Sequence, residues 1–185
     1  MTKKLTIIGE LMNNSYARAR NAFIERDVSA YQALGKSQTA LGASFLTLNL
    51  DGTQRIQVRK EEMLDFLPDV VSAIQEATST PLSFDNPSID YHKVALKHYD
   101  RKKSGQAILN SIAASRERLD EMIELVAHHD TRVIVMALRH CAVPMMRTQP
   151  RRISSNSWLP KQAGATIKSL SMWVSRRSAR ILTAL

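Results

Sequence analysis

Five short apolar runs decide what this chain can fold into: LTIIG (5–9), SFLTLNL (44–50), PLSFD (81–85), QAILNSI (106–112) and RVIVMAL (132–138). A strand with one wet face alternates apolar and polar residues, whereas a strand apolar at successive positions must be covered on both faces. Between the runs lie stretches patterned as helices, and that alternation specifies a parallel sheet with helical crossovers. Two architectures meet the demand, an open doubly wound sheet and a (β/α)8 barrel. Neither G-x-G-x-x-G nor G-x-x-x-x-G-K-[ST] follows any run, which removes the usual nucleotide-binding case for the open sheet.

The intervening segments carry helix signals. YARARNAFIER (16–26) and VSAYQALGKSQTALG (28–42) are parted by the turn-prone Asp27, and Gly42 suits a helix stop. In EEMLDFLPDVVSAIQEAT (61–78), Leu64, Leu67, Val70, Val71 and Ile74 recur at helical spacing, with Pro68 a candidate break. Ser88 is placed to cap IDYHKVALKHY (89–99), where Val94, Leu96 and Tyr99 are candidates for burial. SRERLDEMIELVAHH (115–129) sets Leu119, Met122, Ile123 and Val126 on one face, with Ser115 as its cap. His128 and His129 end that helix, where a cation suits the dipole. His92 and His98 do not share a helical face, so the five histidines suggest no metal site.

Charge divides the chain. All 17 acidic residues precede residue 131, and residues 1–138 are neutral; the net charge of +9 comes from nine Lys and Arg in an acid-free tail, 139–185. We therefore expect a domain at 1–138 and a separate basic tail at 139–185, disordered or aberrant. A lone Cys141 supports neither a disulfide framework nor a cysteine-based zinc site. No apolar run is long enough to span a bilayer, and the start lacks a signal-peptide core, so a cytoplasmic protein is expected.

Polar residues gather where the apolar runs end: Glu10 and Asn13, Asn49, Asp85, and Asn110. In a barrel these ends open on one mouth, where active sites form. Asn and Asp after a strand are also ordinary turn residues, and Asp85-Asn86-Pro87 is a standard turn opening. Asn110 differs, because apolar residues flank it. A buried amide there costs about 1–3 kcal/mol without partners, which favours a ligand-facing role.

In order, the segments LTIIGELMNNS, QALGKSQTALGASFLTLNLDG, PLSFDNPSIDYHKVALKHY and GQAILNSIAASRERLDEMIELVAHHDTRVIVMAL resemble the motifs of the pterin-binding methyltransferases that use methyltetrahydrofolate and a corrinoid. The resemblance covers residues 5–138. It implies the first half of a (β/α)8 barrel, with about five strands, and methyl transfer from N5 of methyltetrahydrofolate to cobalamin carried by a corrinoid protein. It further implies pterin recognition by Asp85 and Asn110, with Asn49, Glu10 and Asn13 matching neighbouring motif positions, and a homodimer, with no nucleic-acid or membrane role. Leu11, Met12, Thr47 and Asn86 depart from the family motifs, and its later Asp-bearing strand and Asn have no counterpart after residue 138. Five strands cannot close an eight-stranded barrel, so this chain is expected to be inactive alone.

Two other functions compete. A dihydropteroate synthase shares the barrel and pterin site, but its Asp-Ser-Phe-Ser-Asp-Gly-Gly loop is missing from IGELMNNSYARAR. The tail could instead bind nucleic acid or a membrane through its cations, with Trp158 and Trp173 as stacking residues, and TIKSLSMWVSRRSARILTAL is a passable cationic amphipathic helix. The tail also looks like barrel sequence in the wrong frame. Met172-Trp173-Val174 must be encoded ATG-TGG-GTN, which gives Val-Gly when each codon is entered at its third base. In the same offset Met145-Met146 yields Asp, restoring an acid to an acid-free region.

Overall fold

One sheet organises the chain, and the order of its strands identifies the architecture. The computed structural model describes residues 5–113, 118–136, 171–174 and 180–181. In chain order the elements are β1 (Ile8–Asn13), α1 (Ala17–Glu25), α2 (Val28–Ala40), β2 (Phe45–Asn49), α3 (Lys60–Ala77), β3 (Leu82–Asp85), α4 (Ile89–His98), α5 (Arg101–Ser104), β4 (Ile108–Ala113), α6 (Leu119–His129), β5 (Arg132–Met136), β6 (Ser171–Val174) and β7 (Arg180–Ile181). The strands lie side by side in sequence order. Pairings from β1 to β6 are parallel, and β7 runs antiparallel to β6.

A doubly wound sheet reverses its strand order at a switch point, which sends helices to both faces. Here the order never reverses. Right-handed crossovers then place every helix on the same face. The packing agrees. Leu46, Leu48, Leu82 and Phe84 join buried residues of α1 to α4 in the main core, and Leu109, Ile112 and Val133 meet Met122 of α6. The opposite face has its own small cluster of Phe45, Ile108 and Ile134 with Ile8, all strand residues. A parallel sheet with helices on one side is the (β/α)8-barrel arrangement, seen here over its first five strands.

Local chemistry explains most element limits. Asp27 starts α2 by accepting the amides of Ser29 (2.9 Å) and Ala30 (3.2 Å). Gly42 follows α2 at φ +89°, a conformation with little cost for glycine. Along α3, Met63, Phe66, Leu67, Val70, Val71 and Ile74 are buried, and Leu64 is half-buried against the same core. Each such side chain stabilises the fold by about 1.5–3 kcal/mol. That burial carries the helix through Pro68, so the expected break does not occur. In α4, Leu96 is buried and Val94 half-buried, as is Tyr99 just past its end; Tyr91 and His92 are fully buried.

Other expectations are corrected. The first strand starts at Ile8 and runs to Asn13 instead of ending at Gly9, because a register shift lets pairing with β2 resume at Met12. Leu5 and Ile7, placed in the strand by their apolarity, are exposed. Ser88 occupies the N-cap of α4 without capping it through its side chain. Instead its amide donates to Asn86 Oδ1 at 2.8 Å. The short α5 was not anticipated. Ser171–Val174 and Arg180–Ile181 are strands, which rules out one continuous amphipathic helix there. Ser115, Trp158 and most of the 139–185 tail lie outside the described residues.

Candidate functional site

The strand ends of the helix-free face hold the polar residues. Side chains alternate along a strand, and residues paired across parallel neighbours share a face. In β2, Leu46 and Leu48 turn to the helices, so Phe45, Thr47 and Asn49 turn to the other side. Ser83 and Asp85 follow on β3, and Ile108 and Asn110 on β4. Phe45, Ile108 and Ile134 form an apolar cluster on this face; Thr47 and Ser83 are level with Ile108, and Asp85 and Asn110 stand one layer above them.

Pairing brings the upper layer together. Asp85 is level with Asn110, and Asn13 with Asn49. The Asn49 side-chain amide donates to Asp85 Oδ2 at 3.4 Å, while Asn49 Oδ1 accepts the Asp51 amide at 2.9 Å. Asn13 is drawn partly away, because its Oδ1 accepts the Ser15 amide at 2.9 Å. The turn chemistry expected of these asparagines and their place on the site face thus coexist. Asp85 and Asn110 are both half-buried.

Glu10 joins this group from one layer below. The Thr47 hydroxyl, fully buried, donates to Glu10 Oε1 at 3.0 Å. Burial pushes the Glu10 carboxyl above its usual range; the Thr47 hydrogen bond opposes that, and the charge of Asp85 adds to it. Glu10 is nevertheless open to solvent on one side, so water screens part of this effect. The five positions singled out in the sequence therefore converge, with Asn13 the least committed.

Several supporting residues escaped sequence reasoning. Asn86 is almost wholly buried, and its backbone amide donates to the Asn110 carbonyl at 3.2 Å, tying the end of β3 to β4. His92 stands behind it, with Nε2 2.8 Å from the Asn86 carbonyl. Asn14, fully buried, donates its amide to the Asn49 carbonyl (3.1 Å) and its side-chain nitrogen to the Asp51 carbonyl (3.2 Å), joining the loops after β1 and β2. Thr47 gave a readable signal, a lone hydroxyl in the apolar run FLTLN. The others gave none, since their partners lie on separate elements. Two concavities lie away from the strand ends: a groove lined by Arg26, Phe66 and Asp69, and a small cleft lined by Leu96, Tyr99 and His129. Among the described residues, no helix is long and apolar enough to cross a membrane.

Comparison with known proteins gives the arrangement its context. Residues 12–182 match the family described as pterin binding enzyme. The methylcorrinoid:tetrahydrofolate methyltransferase of Eubacterium limosum is 25% identical over 142 residues, covering 76% of this chain and 49% of that protein. The 7,8-dihydropteroate synthase of Vibrio fischeri ES114 superposes with a TM-score of 0.53 at 19% identity, covering 83% of this chain and 48% of that one; this likeness shows the fold. The chain spans about half the length of the relatives it matches. With the family match extending over most of its length, the chain belongs to the pterin binding enzymes.

Proposed function

We propose that this chain carries the pterin-recognition part of a methyltransferase that moves a methyl group between N5 of a tetrahydrofolate and a corrinoid held by a partner protein. The observation that carries the reading is the pairing of Asp85, the last residue of β3, with Asn110 inside β4, with the Asn49 amide on the Asp85 carboxylate. A pterin's amino-pyrimidine edge offers N–H donors to a carboxylate and mixed donors and acceptors to an amide. Charge-assisted bonds of this kind are the stronger class. The apolar cluster on the same face would support the ring.

The corrinoid would supply the nucleophilic metal centre, which no residue of this chain could replace. This chain's part is to hold the folate and exclude water from N5. As the methyl–nitrogen bond breaks, N5 is a poor leaving group unless a proton or hydrogen bond stabilises it. The relative from Eubacterium limosum is named for transfer toward tetrahydrofolate. Forward and reverse transfer share one transition state, so a single pterin site serves both directions. A cytoplasmic homodimer acting on a corrinoid protein, with no nucleic-acid or membrane role, completes the proposal.

Calorimetric titration with methyltetrahydrofolate tests the reading, with a folate-free corrinoid as control. Saturable folate binding that weakens in Asp85→Ala and Asn110→Ala is the expected result. The absence of binding would overturn it. Formation of dihydropteroate from p-aminobenzoate and a dihydropterin pyrophosphate would reassign the chain to synthase chemistry.

A further inference from the structure

Strand β1 carries one residue more than its neighbour between two shared rungs. Gly9 pairs with Leu46 and Met12 with Leu48, so residues 10 and 11 stand opposite Thr47 alone. The extra residue reverses the alternation of side chains. In an unbroken strand Glu10 and Asn13, three positions apart, would face opposite sides of the sheet. With the bulge, Met12 turns into the helix-side core, where it is fully buried. Glu10 reaches Thr47 on the other face, and Asn13 draws level with Asn49.

Such a bulge leaves a backbone amide without its ladder partner. Gln38 of α2 captures it: the Leu11 amide donates to Gln38 Oε1 at 2.9 Å. The Gln38 side chain is buried, and its nitrogen donates to the Leu34 carbonyl of its own helix at 3.2 Å, which turns Oε1 toward β1. Gly9 completes the fit. A Cβ at that position would lie 2.5 Å from Gln38 Oε1, closer than nonbonded atoms approach. Glycine at 9, glutamine at 38 and the bulge therefore form one device.

We propose that Gln38 is a positioning residue for the candidate site. By holding the amide that the bulge sets free, it keeps Glu10 and Asn13 on the face that carries Asn49 and Asp85. The inference rests on the pterin reading for its ligand, but the bulge can be tested without it.

The test compares the full chain with Gln38→Leu and Gln38→Glu; the second keeps an acceptor oxygen. Hydrogen exchange at the Leu11 amide reports the bulge, and calorimetry with methyltetrahydrofolate reports the site. In Gln38→Leu, Leu11 exchange is expected to rise at least roughly tenfold while the α3 amides stay protected. The dissociation constant is expected to rise about tenfold, the loss of one well-made hydrogen bond. Gln38→Glu is expected to retain most of both in mild acid, where a protonated carboxyl can still accept from Leu11 and donate to Leu34, and to lose them as it ionises; this also serves if Gln38→Leu does not fold. In a Glu10→Ala/Asn13→Ala background, Gln38→Leu should change affinity less than about twofold, because the residues it acts through are gone. Equal losses in both backgrounds would reduce Gln38 to a structural amide and overturn the proposal. So would an unchanged Leu11 exchange rate. A parent that binds no folate would overturn the pterin reading and the ligand named here, and the Leu11 rate tells that failure from a failure of the bulge.

Discussion

The strand-end residues differ in how much of their chemistry the backbone already uses. Asn13 and Asn49 each spend Oδ1 on an amide two residues ahead, so replacing either disturbs a turn as well as a site. Asp85 and Asn110 are the direct probes of the pterin reading. Replacing either with Ala is expected to weaken methyltetrahydrofolate binding by about 1–3 kcal/mol, measured by calorimetry; unchanged affinity in both would remove them from the site. Glu10 makes a prediction about pH. Burial, and secondarily the charge of Asp85, hold its proton more tightly in the folded chain than the ordinary value of 4.5, against the Thr47 hydrogen bond. A carboxyl raised in this way contributes stability below its unfolded pKa and loses it as pH rises through the folded pKa. Glu10→Gln should therefore raise the melting temperature relative to the parent at neutral pH and leave it nearly unchanged in mild acid. A lower melting temperature at neutral pH would show that the Thr47 hydrogen bond to the carboxylate outweighs its burial.

Elements built from dense apolar patterns were the most legible. β2, β3 and β5 fall within the expected runs, and β4 overruns its own by one residue, Ala113, because parallel strands buried on both faces leave no other use for such sequence. α3 was legible from its spacing, and only the apparent obstacle of Pro68 misled: its helix is held by packing along its buried face, not by local propensity. β1 was misjudged because Gly9 looks like a stop and a bulge erases the period that would have marked its continuation. Among the candidate site residues, Asp85 and Asn110 were picked out as polar positions where apolar runs end; Asp85 does close β3, whereas β4 continues past Asn110 to Ala113. Thr47 stood out as a lone hydroxyl in an apolar run, but its partner is 37 residues away; Gln38 takes its meaning from a partner 27 residues away, which no local pattern reveals. Such remote contacts also set element stability. Tyr91 of α4 is fully buried and donates to the Leu48 carbonyl at 3.0 Å, beside Asn49. Tyr91→Phe should cost about 1–3 kcal/mol in urea unfolding, because the carbonyl it leaves is buried. A cost below about 0.5 kcal/mol would mean that the carbonyl finds another partner.

At the scale of the whole molecule, the sheet has the strand order of a barrel, but the chain covers about half of its relatives. Among the described residues β1 pairs only with β2, whereas a closed barrel gives each strand two neighbours. An unpaired edge invites association, so a polypeptide of these 185 residues expressed alone is expected to self-associate in light scattering and to transfer no methyl group. A cooperative monomer with turnover would refute this. The tail offers the sharper test. Its acid-free composition contrasts with the charge balance of residues 1–138, yet Ser171–Val174 lies beside β5 and the family match runs to residue 182. We expect the nucleotide sequence to explain both facts, with an offset frame over codons 143–185 that is open and encodes acids. Asp arises there from Met145-Met146 and Val-Gly from Met172-Trp173-Val174, whatever the codon choices elsewhere. The remaining codons are free to vary, so the decisive outcome is the frame itself. A one-base insertion or two-base deletion near the codons for Leu138–Ala142, found by comparison with an intact relative, would join the offset tail to the barrel. Stop codons in that frame would instead make the basic tail, and β6 with it, a genuine product of the frame as written.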